Sequence, residues 1–164
     1  MAKTLLLLRH GKSDWHEGED DFGRRLAKRG RQAAALMGEY LDEHDLIPDV
    51  IVTSPATRAL TTAEIVQEAL DDIELIEDER IYEASLESLL AVVQGLSDEY
   101  ERVLLVGHNP GFEELADTLT GRTDSVLKTC SLAILSCERN SWQAAGEESC
   151  ELGEIVHPAE VAEA

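Results

Sequence analysis

An unbroken run of four leucines, Leu5–Leu8, leads directly into Arg9, His10 and Gly11, and no other feature constrains the fold as strongly. A short, wholly apolar run that ends in polar residues and a glycine is typical of a strand buried on both faces, as in a parallel sheet. Ligands bind beyond the carboxyl ends of such strands, so Arg9 and His10 are expected where chemistry takes place. Gly11 allows the backbone to turn sharply at that point.

A second apolar run delivers another histidine in the same way. Val103–Val106 is followed by Gly107, His108, Asn109 and Pro110. Because the carboxyl ends of parallel strands meet at one edge of a sheet, we expect His10 and His108 to lie close together.

A third strand end adds a cation. The segment 49–53 reads as a strand, after which Ser54 and Pro55 are expected as the N-cap and first-turn proline of a helix. The N-terminus of that helix would face the same sheet edge, where its free N–H groups favour an anion. Arg58, in the first turn, carries a planar guanidinium suited to bidentate phosphate contact. Two arginines and two histidines at one edge predict a phosphoryl-binding site.

Strands alternate with helices along the chain, which predicts an α/β three-layer sandwich whose central sheet is mostly parallel. The segments 130–137 and 152–156, joined through Trp142, favour an antiparallel edge. No linker or repeat divides the chain, so residues 1–164 are expected to form a single domain with a frayed tail at 157–164. The predicted strands are 3–9, 49–53, 73–76 and 102–107, and the predicted helices are about 26–45, 55–70, 86–98 and 110–120.

The composition limits the partners. The net charge of −20, from 34 acidic and 14 basic residues, repels nucleic acid and anionic membranes and fits a salt-adapted host or an acidic mesophile. No apolar run approaches the roughly 20 residues needed to span a membrane. The start resembles a signal peptide only superficially, because Arg9 and His10 stand where a cleavage site would be. Eight of the 14 basic residues lie within the first 31 positions, and this clustering predicts an anion near Arg9 and His10. The eight are Lys3, Arg9, Lys12, Arg24, Arg25, Lys28, Arg29 and Arg31.

The cysteines favour a reducing compartment. Cys130, Cys137 and Cys150 are odd in number and lack the Cys-x-x-Cys spacing of zinc or redox sites, so we expect three unpaired thiols. Together with the start of the chain, they predict a cytoplasmic protein.

The motifs taken together resemble the histidine phosphatase superfamily. They are Leu-Arg-His-Gly at 8–11, Ser-Pro-x-x-Arg at 54–58 and Val-Gly-His-Asn-Pro at 106–110. The segments at 9–15, which ends in Trp15, at 81–85 and at 107–111 resemble most the SixA-type phosphohistidine phosphatases of that family. The resemblance implies the phosphoglycerate-mutase-like version of the α/β sandwich.

The resemblance also implies that His10 is the nucleophile and becomes transiently phosphorylated. An attacking imidazole must be neutral, and the cations of Arg9 and Arg58 lower the pKa of a neighbouring histidine. Arg9, Arg58 and a protonated His108 would bind the equatorial phosphoryl oxygens. Since these cations neutralise the phosphoryl group, and the chain lacks the clustered carboxylates of a magnesium site, no metal or other cofactor is expected.

Three further residues have two interpretations each. Ser13 resembles the small hydroxyl residue of the family's phosphate pocket, or it caps its loop. Asn109 stands where one branch of the family has an acid, and it is either a helix N-cap or a phosphate contact. Glu83 holds the position of the acid that protonates the leaving group in the mutase-like branch, or it is a solvated surface glutamate.

A weakly supplied general acid suits a phosphoramidate better than a sugar phosphate, because a protonated phosphohistidine releases a neutral imidazole. Only residues 83–107 separate Tyr82 from His108, which leaves no room for the insertion that roofs the pocket in larger relatives. We therefore expect dephosphorylation of a histidine on a protein, such as a phosphotransfer domain, with phosphate, sulfate or vanadate as site ligands. Two alternatives are a phosphatase of small phosphomonoesters at the same site and a non-catalytic phosphoprotein-binding module.

Overall fold

The computed structural model describes residues 2–14, 18, 20–138 and 140–163, so Trp15 of the first motif lies outside the described residues. A six-stranded sheet forms the centre of the molecule. Its strands are β1 (Lys3–Arg9), β2 (Val50–Thr53), β3 (Glu74–Glu77), β4 (Arg102–Gly107), β5 (Leu132–Cys137) and β6 (Cys150–Val156). The order across the sheet is β3-β2-β4-β1-β5-β6. The first four of these are parallel, and β5 and β6 form the antiparallel edge, as predicted.

Helices cover both faces of the sheet and complete three layers. They are α1 (Lys28–Glu43), α2 (Thr57–Ala69), α3 (Leu86–Gln94), α4 (Gly111–Thr120) and α5 (Pro158–Glu163). The four leucines of β1 divide between the layers, because successive side chains of a strand point to opposite faces. Leu5 and Leu7 join the core under α3 and α4, whereas Leu6 and Leu8 join the core under α1 and α2. All four are fully buried, which explains why this run is apolar throughout.

The parallel register brings three strand ends to one line. Arg9 of β1 lies opposite Gly107 of β4, and Thr53 of β2 lies opposite Val106. Backbone bonding continues one residue beyond each strand, because His10 N donates to Gly107 O at 2.9 Å and Ser54 N donates to Val106 O at 3.0 Å. The residues that follow these strands are therefore held rigidly by the sheet.

Several predicted boundaries were wrong. Helix α2 begins at Thr57 with Ala56 at its N-cap, so Ser54 is not the cap; its Oγ accepts the Ala56 N–H at 3.2 Å within the preceding turn. Helix α3 begins where predicted, with Ser85 at its N-cap, but ends at Gln94, before Gly95, instead of at about 98. Trp142 lies in a single 3₁₀ turn rather than in a strand.

The predicted frayed tail is instead helix α5. Its first residue is Pro158, and His157 N donates to Glu160 Oε1 at 3.1 Å, which caps the first turn. His157 Nδ1 lies 2.6 Å from Ser131 Oγ, and Val161 packs against the core under α1 and α2. These contacts fix the segment to the body of the protein.

The expectation of three unpaired thiols was also wrong. Cys137 and Cys150 face each other across β5 and β6 and form a disulfide. A search for Cys-x-x-Cys spacing cannot find this pair, because a hairpin and not local sequence brings the two residues together. Cys130 is a free, buried thiol. The cytoplasmic location therefore loses its cysteine argument and stays a prediction. Within the described ranges, every helix is too short or too polar to cross a membrane.

Candidate active site

The ends of β2, β4 and β1 form one polar edge. His10 follows β1, Ser54 follows β2 and His108 follows β4, while Arg58 lies in the first turn of α2. The rings of His10 and His108 have centroids 5.2 Å apart and are tilted by 55°. The structure therefore brings together the two histidines that the strand-end argument predicted as neighbours.

His10 is held in one tautomer. Its Nδ1 lies 2.7 Å from Gly11 O, and because a carbonyl only accepts, Nδ1 carries the proton and Nε2 keeps its lone pair. Burial is the largest cause that lowers the pKa of His10 to about 3, and the charges of Arg58 and Arg9 add to it. From the sequence, only the effect of the arginines on this pKa could be predicted. At neutral pH, His10 is a neutral imidazole with a bare Nε2.

The backbone around His10 is fixed by close helix packing. Gly11 N donates to Thr62 Oγ1 at 3.0 Å, and Thr62 Oγ1 donates to Arg58 O at 2.7 Å. A Cβ on Gly11 would stand 2.8 Å from Gly30 O in α1, so only glycine allows this approach. The turn after β1 is thus locked to α1 and α2 at once.

Arg58 is almost wholly buried, and a residue that the sequence analysis missed holds it. Its Nη1 donates to Asp21 O at 2.6 Å, and its Nη2 donates to Asp21 Oδ2 at 3.1 Å. Tyr82 Oη donates to the same Oδ2 at 2.7 Å. The hydrogen bond from Tyr82, followed by the contacts with Arg58, lowers the pKa of Asp21. Nothing in the sequence separates Asp21 from the 33 other acidic residues, since only the folded loop brings it here.

His108 differs from the protonated form that the sequence analysis considered. Its Nε2 lies 2.8 Å from Ser54 Oγ. Ser54, which was predicted only as a helix cap, is therefore a second site residue that could not be recognised from the sequence. Burial first, and Arg58 second, lower the pKa of His108 to about 4, so the ring is neutral at pH 7. A phosphoryl dianion beside it would raise that pKa again, because an opposite charge favours the protonated form.

Arg9 and Asn109 meet at one backbone carbonyl. Arg9 Nη1 donates to Leu127 O at 3.0 Å, and Asn109 Nδ2 donates to the same oxygen at 2.8 Å. Pro110, not Asn109, occupies the N-cap position of α4, and no side chain caps that helix. The N-cap interpretation of Asn109 was therefore wrong, and its side chain instead ties the site to the segment before β5.

Several buried nitrogens of this edge have no protein partner among the described residues: Arg9 Nε, Arg58 Nε and His108 Nδ1. A buried polar group without a partner costs about 1–3 kcal/mol, so such groups cluster where a ligand supplies the missing bond. Both arginines act on the pKa values of both histidines, which places all four side chains within one electrostatic neighbourhood. An oxyanion supplies acceptors for these donors.

Glu83 lies in a pocket beside His108, whereas Ser13 lies in the loop that follows His10. Glu83 is exposed, has a left-handed backbone with φ of 50°, and lines a pocket of about 320 Å³ together with His108 and Asn109. The remaining lining of that pocket is mostly apolar: Ile81, Ala84, Leu89, Pro110 and Gly111. Ser13 forms an isolated antiparallel bridge with Leu26, so its backbone closes the loop that follows His10.

The cations of the first 31 residues do not all surround the site. Lys3 lies at the opposite end of β1, where its Nζ donates to Asp98 O and Tyr100 O, each at 2.9 Å. Lys28, Arg29 and Arg31 are exposed on the first turn of α1, which packs against Gly11 and Lys12 at the site edge. Lys28, Arg29 and Arg31 thus lie on a turn at the site edge and Lys3 does not, while the anion that these cations predict stays a prediction.

Two known proteins match this chain over different shares of its length. A protein from Arabidopsis thaliana, described as uncharacterised and chloroplastic, is 31% identical in an alignment of 158 residues that covers 88% of this chain and 71% of that protein. The 2,3-bisphosphoglycerate-dependent phosphoglycerate mutase of Mycobacterium leprae is 47% identical in an alignment of 73 residues that covers only 42% of this chain and 29% of the mutase.

Solved structures match more completely. A candidate phosphohistidine phosphatase SixA from Agrobacterium tumefaciens superposes with a TM-score of 0.81 at 28% identity, over 95% of this chain and 98% of the other. The protein histidine phosphatase SixA in complex with tungstate has a TM-score of 0.82 at 21% identity, over 96% and 99%. These neighbours support a phosphatase activity. Residues 5–89 match the histidine phosphatase superfamily (branch 1), and the chain belongs to that superfamily.

Proposed function

We propose that this protein is a phosphohistidine phosphatase, which removes phosphate from a histidine on another protein through a phosphorylated His10. One observation carries the proposal: a buried, neutral His10 with a bare Nε2 lies among buried arginine N–H groups that have no protein partner in the described part of the chain. This arrangement combines a nucleophile with donors for the oxygens of a phosphoryl group.

The reaction requires two displacements at phosphorus. His10 Nε2 attacks, the bond from phosphorus to the substrate nitrogen breaks, and the substrate imidazole leaves as a neutral ring once its nitrogen is protonated. Arg9, Arg58 and His108 bind the phosphoryl oxygens during the transfer. Water then attacks phospho-His10, the bond from phosphorus to Nε2 breaks, and inorganic phosphate and neutral His10 result. Throughout, Gly11 O accepts the hydrogen bond from the Nδ1–H and stabilises the positive charge of the phosphorylated ring.

The leaving group has a place in the pocket of about 320 Å³ beside His108. Its mostly apolar wall suits the flat face of an imidazole, and its exposed mouth at Glu83 leaves access for a side chain carried by another protein. One of the two SixA proteins that superpose on this chain is described as a candidate phosphohistidine phosphatase, and the other as a protein histidine phosphatase in complex with tungstate, an oxyanion. Tungstate, vanadate, phosphate and sulfate are the ligands we propose for the site.

Hydrolysis of small phosphomonoesters is the second candidate. The observation that favours it is Glu83, whose carboxyl lines the same pocket as His108 and could protonate an alkoxide leaving group. The match with the phosphoglycerate mutase over 73 residues points in the same direction.

A steady-state comparison tests the proposal. The kcat/KM values are measured for a phosphohistidine protein, a panel of sugar phosphates and an aryl phosphate, before and after treatment with a chelator. We expect the phosphohistidine protein to be the best substrate, with no loss on chelation, because arginines and not a metal neutralise the phosphoryl group. A sugar phosphate turned over far faster than phosphohistidine would replace the proposal with the second candidate. Absence of turnover and of a phosphorylated intermediate on every substrate would indicate a binding module.

A further inference from the structure

The loop before α1 returns to the site and contacts Arg58 through Asp21. Asp21 is its central residue: the carboxylate binds Arg58 and Tyr82, and its other oxygen lies 3.5 Å from Arg24 Nη2. The backbone carbonyl of Asp21 accepts a further bond from Arg58 Nη1 at 2.6 Å. Asp21 therefore meets Arg58 with both its main chain and its side chain.

The loop is anchored well enough to act as a fixed support. Gly23 N donates to Asp20 Oδ1 at 2.8 Å, and Thr57 N, at the start of α2, donates to Phe22 O at 3.0 Å. The Phe22 ring packs edge-on against Tyr82, with centroids 5.1 Å apart and an interplanar angle of 87°. Since Thr57 precedes Arg58, the loop is joined to the same helix turn that carries the guanidinium.

The donors of Arg58 divide into two groups. A guanidinium has five N–H donors, and Asp21 takes one from each terminal nitrogen. The Nε–H is buried and has no protein partner within the residues that the structure describes. Because two bonds to one residue fix both the position and the plane of the group, the orientation of Nε–H is determined by Asp21. Arginine side chains otherwise have many rotamers, and ordering them costs entropy on ligand binding.

We propose that Asp21 is the positioning residue of Arg58: it holds the two terminal nitrogens of the guanidinium so that Nε–H is already directed at the phosphoryl group. This proposal rests on the proposed function only in one respect, which is that it takes a phosphoryl group as the ligand of Arg58. Tyr82 supports it, because its hydroxyl fixes Oδ2 at 2.7 Å. Asp21 and other neighbours raise the pKa of Tyr82 to about 12, so the hydroxyl keeps its proton at every working pH.

If Asp21 instead competed with the phosphoryl group for Arg58, the expected change in anion affinity would have the opposite sign. A carboxylate that bound Arg58 in place of the substrate would compete with the phosphoryl group, and its neutralisation would then tighten anion binding. If Asp21 positions Arg58 instead, its neutralisation frees the guanidinium and weakens anion binding. The sign of the change in anion affinity separates the two roles.

The test uses tungstate, whose dissociation constant is measured by calorimetry, and an aryl phosphate, for which kcat and KM are measured separately. Asp21→Asn should raise the Kd of tungstate roughly 10-fold and raise KM in parallel. Tyr82→Phe should give a smaller change in the same direction. The matched control is Asp14→Asn, which removes the same charge from an exposed side chain nearer the start of the same β1–α1 connection and should leave Kd and KM within about twofold.

A double-mutant cycle distinguishes positioning from a merely structural role. In an Arg58→Ala background, Asp21→Asn should have less than about a twofold further effect on Kd, because the group it positions is gone. If Arg58→Ala binds tungstate too weakly to titrate, Arg58→Lys serves as the background. Equal losses in both backgrounds, or tighter tungstate binding by Asp21→Asn, would overturn the proposal. Tungstate binding requires no turnover, so the two proposals can fail separately. If the cycle shows coupling between Asp21 and Arg58 but the wild type does not hydrolyse phosphohistidine, only the proposed substrate is refuted.

Discussion

A single backbone carbonyl decides what His10 can do, because Gly11 O accepts a hydrogen bond from the Nδ1–H and so leaves Nε2 as the nitrogen with a free lone pair. We expect His10→Ala to lower turnover by at least about 10³-fold. The variant should still unfold cooperatively, since the ring makes no bond that holds two elements together. Rapid quenching of the wild type should trap phosphate in an acid-labile, base-stable linkage. Substantial activity in the variant, or a trapped phosphate in it, would remove His10 as the nucleophile.

The buried His10 and the half-buried His108 also make stability depend on pH. Their pKa values are about 3 and about 4 in the folded state, against 6.5 for an ordinary histidine. Below pH 6.5 the unfolded chain binds protons that the folded protein excludes, so the free energy of unfolding decreases as pH falls from 6.5 towards 4. Each histidine contributes a slope of roughly 1.4 kcal/mol per pH unit within that window. Urea denaturation at several pH values should show this decrease, and it should be shallower in His10→Asn; equal slopes would contradict it.

Glu83 separates the two candidate substrates. If its carboxyl protonates the leaving group, Glu83→Gln should slow an alkyl phosphate about 10²–10⁴-fold. The loss should be much smaller for phosphohistidine and for an aryl phosphate, whose leaving groups depend less on that proton. The measurement is kcat on all three substrates. Equal, large losses on all three would mean that Glu83 acts otherwise, for example by orienting His108.

At the scale of elements, strands were easier to predict than helix ends. The bounds of β1 and β4 were predicted correctly, because a fully buried strand is an unbroken apolar run that a polar residue or glycine ends. The start of α2 was not, because Ser54 satisfies a turn and contacts His108 instead of capping the helix. Local sequence cannot tell which of two acceptable partners a serine hydroxyl takes.

The site residues also differ in how far the sequence predicts them. The positions of Arg9, His10, Arg58 and His108 follow from where strands end, which the sequence states directly. Asp21 and Tyr82 come from two loops far apart in sequence, and only tertiary packing joins them at 2.7 Å. A pattern of strand ends therefore predicts the residues that face a ligand, and it misses those that hold them in place.

The disulfide stabilises an element that lies far from the chemistry. Cys137 pairs with Lys3 at the beginning of β1, so the Cys137–Cys150 link lies at the sheet end opposite His10. It closes a hairpin with a sequence separation of 13, for which loop-closure entropy gives about 3 kcal/mol. We expect Cys137→Ser/Cys150→Ser to lower the thermal midpoint by several degrees and to leave kcat/KM at 25 °C unchanged. A variant with full stability would show that the cross-link contributes nothing.

At the scale of the whole molecule, one sheet supplies both cores, which supports the proposal that residues 1–164 form a single domain. The charge is less evenly distributed than the core. The chain has a net charge of −20, yet the first turn of α1 carries Lys28, Arg29 and Arg31 and has no acidic residue. Ala27, at the N-cap position, cannot cap the helix with its side chain. Acidic residues favour helix N-termini, so this turn forgoes helix stability and keeps positive charge beside the site.

This positive turn should assist the arrival of any anionic substrate. Arg29→Glu should lower kcat/KM for an aryl phosphate about 3–10-fold at low ionic strength, because it reverses a charge of the local field that attracts the substrate. The matched control is Arg122→Glu, which makes the same charge change beyond the far end of α4, beside Asp124. Its effect should stay within about twofold. Near 1 M salt, where screening acts over about 3 Å, the two variants should converge on the wild type. Equal losses for both at low salt would mean that net charge, and not its placement at the site edge, governs substrate capture.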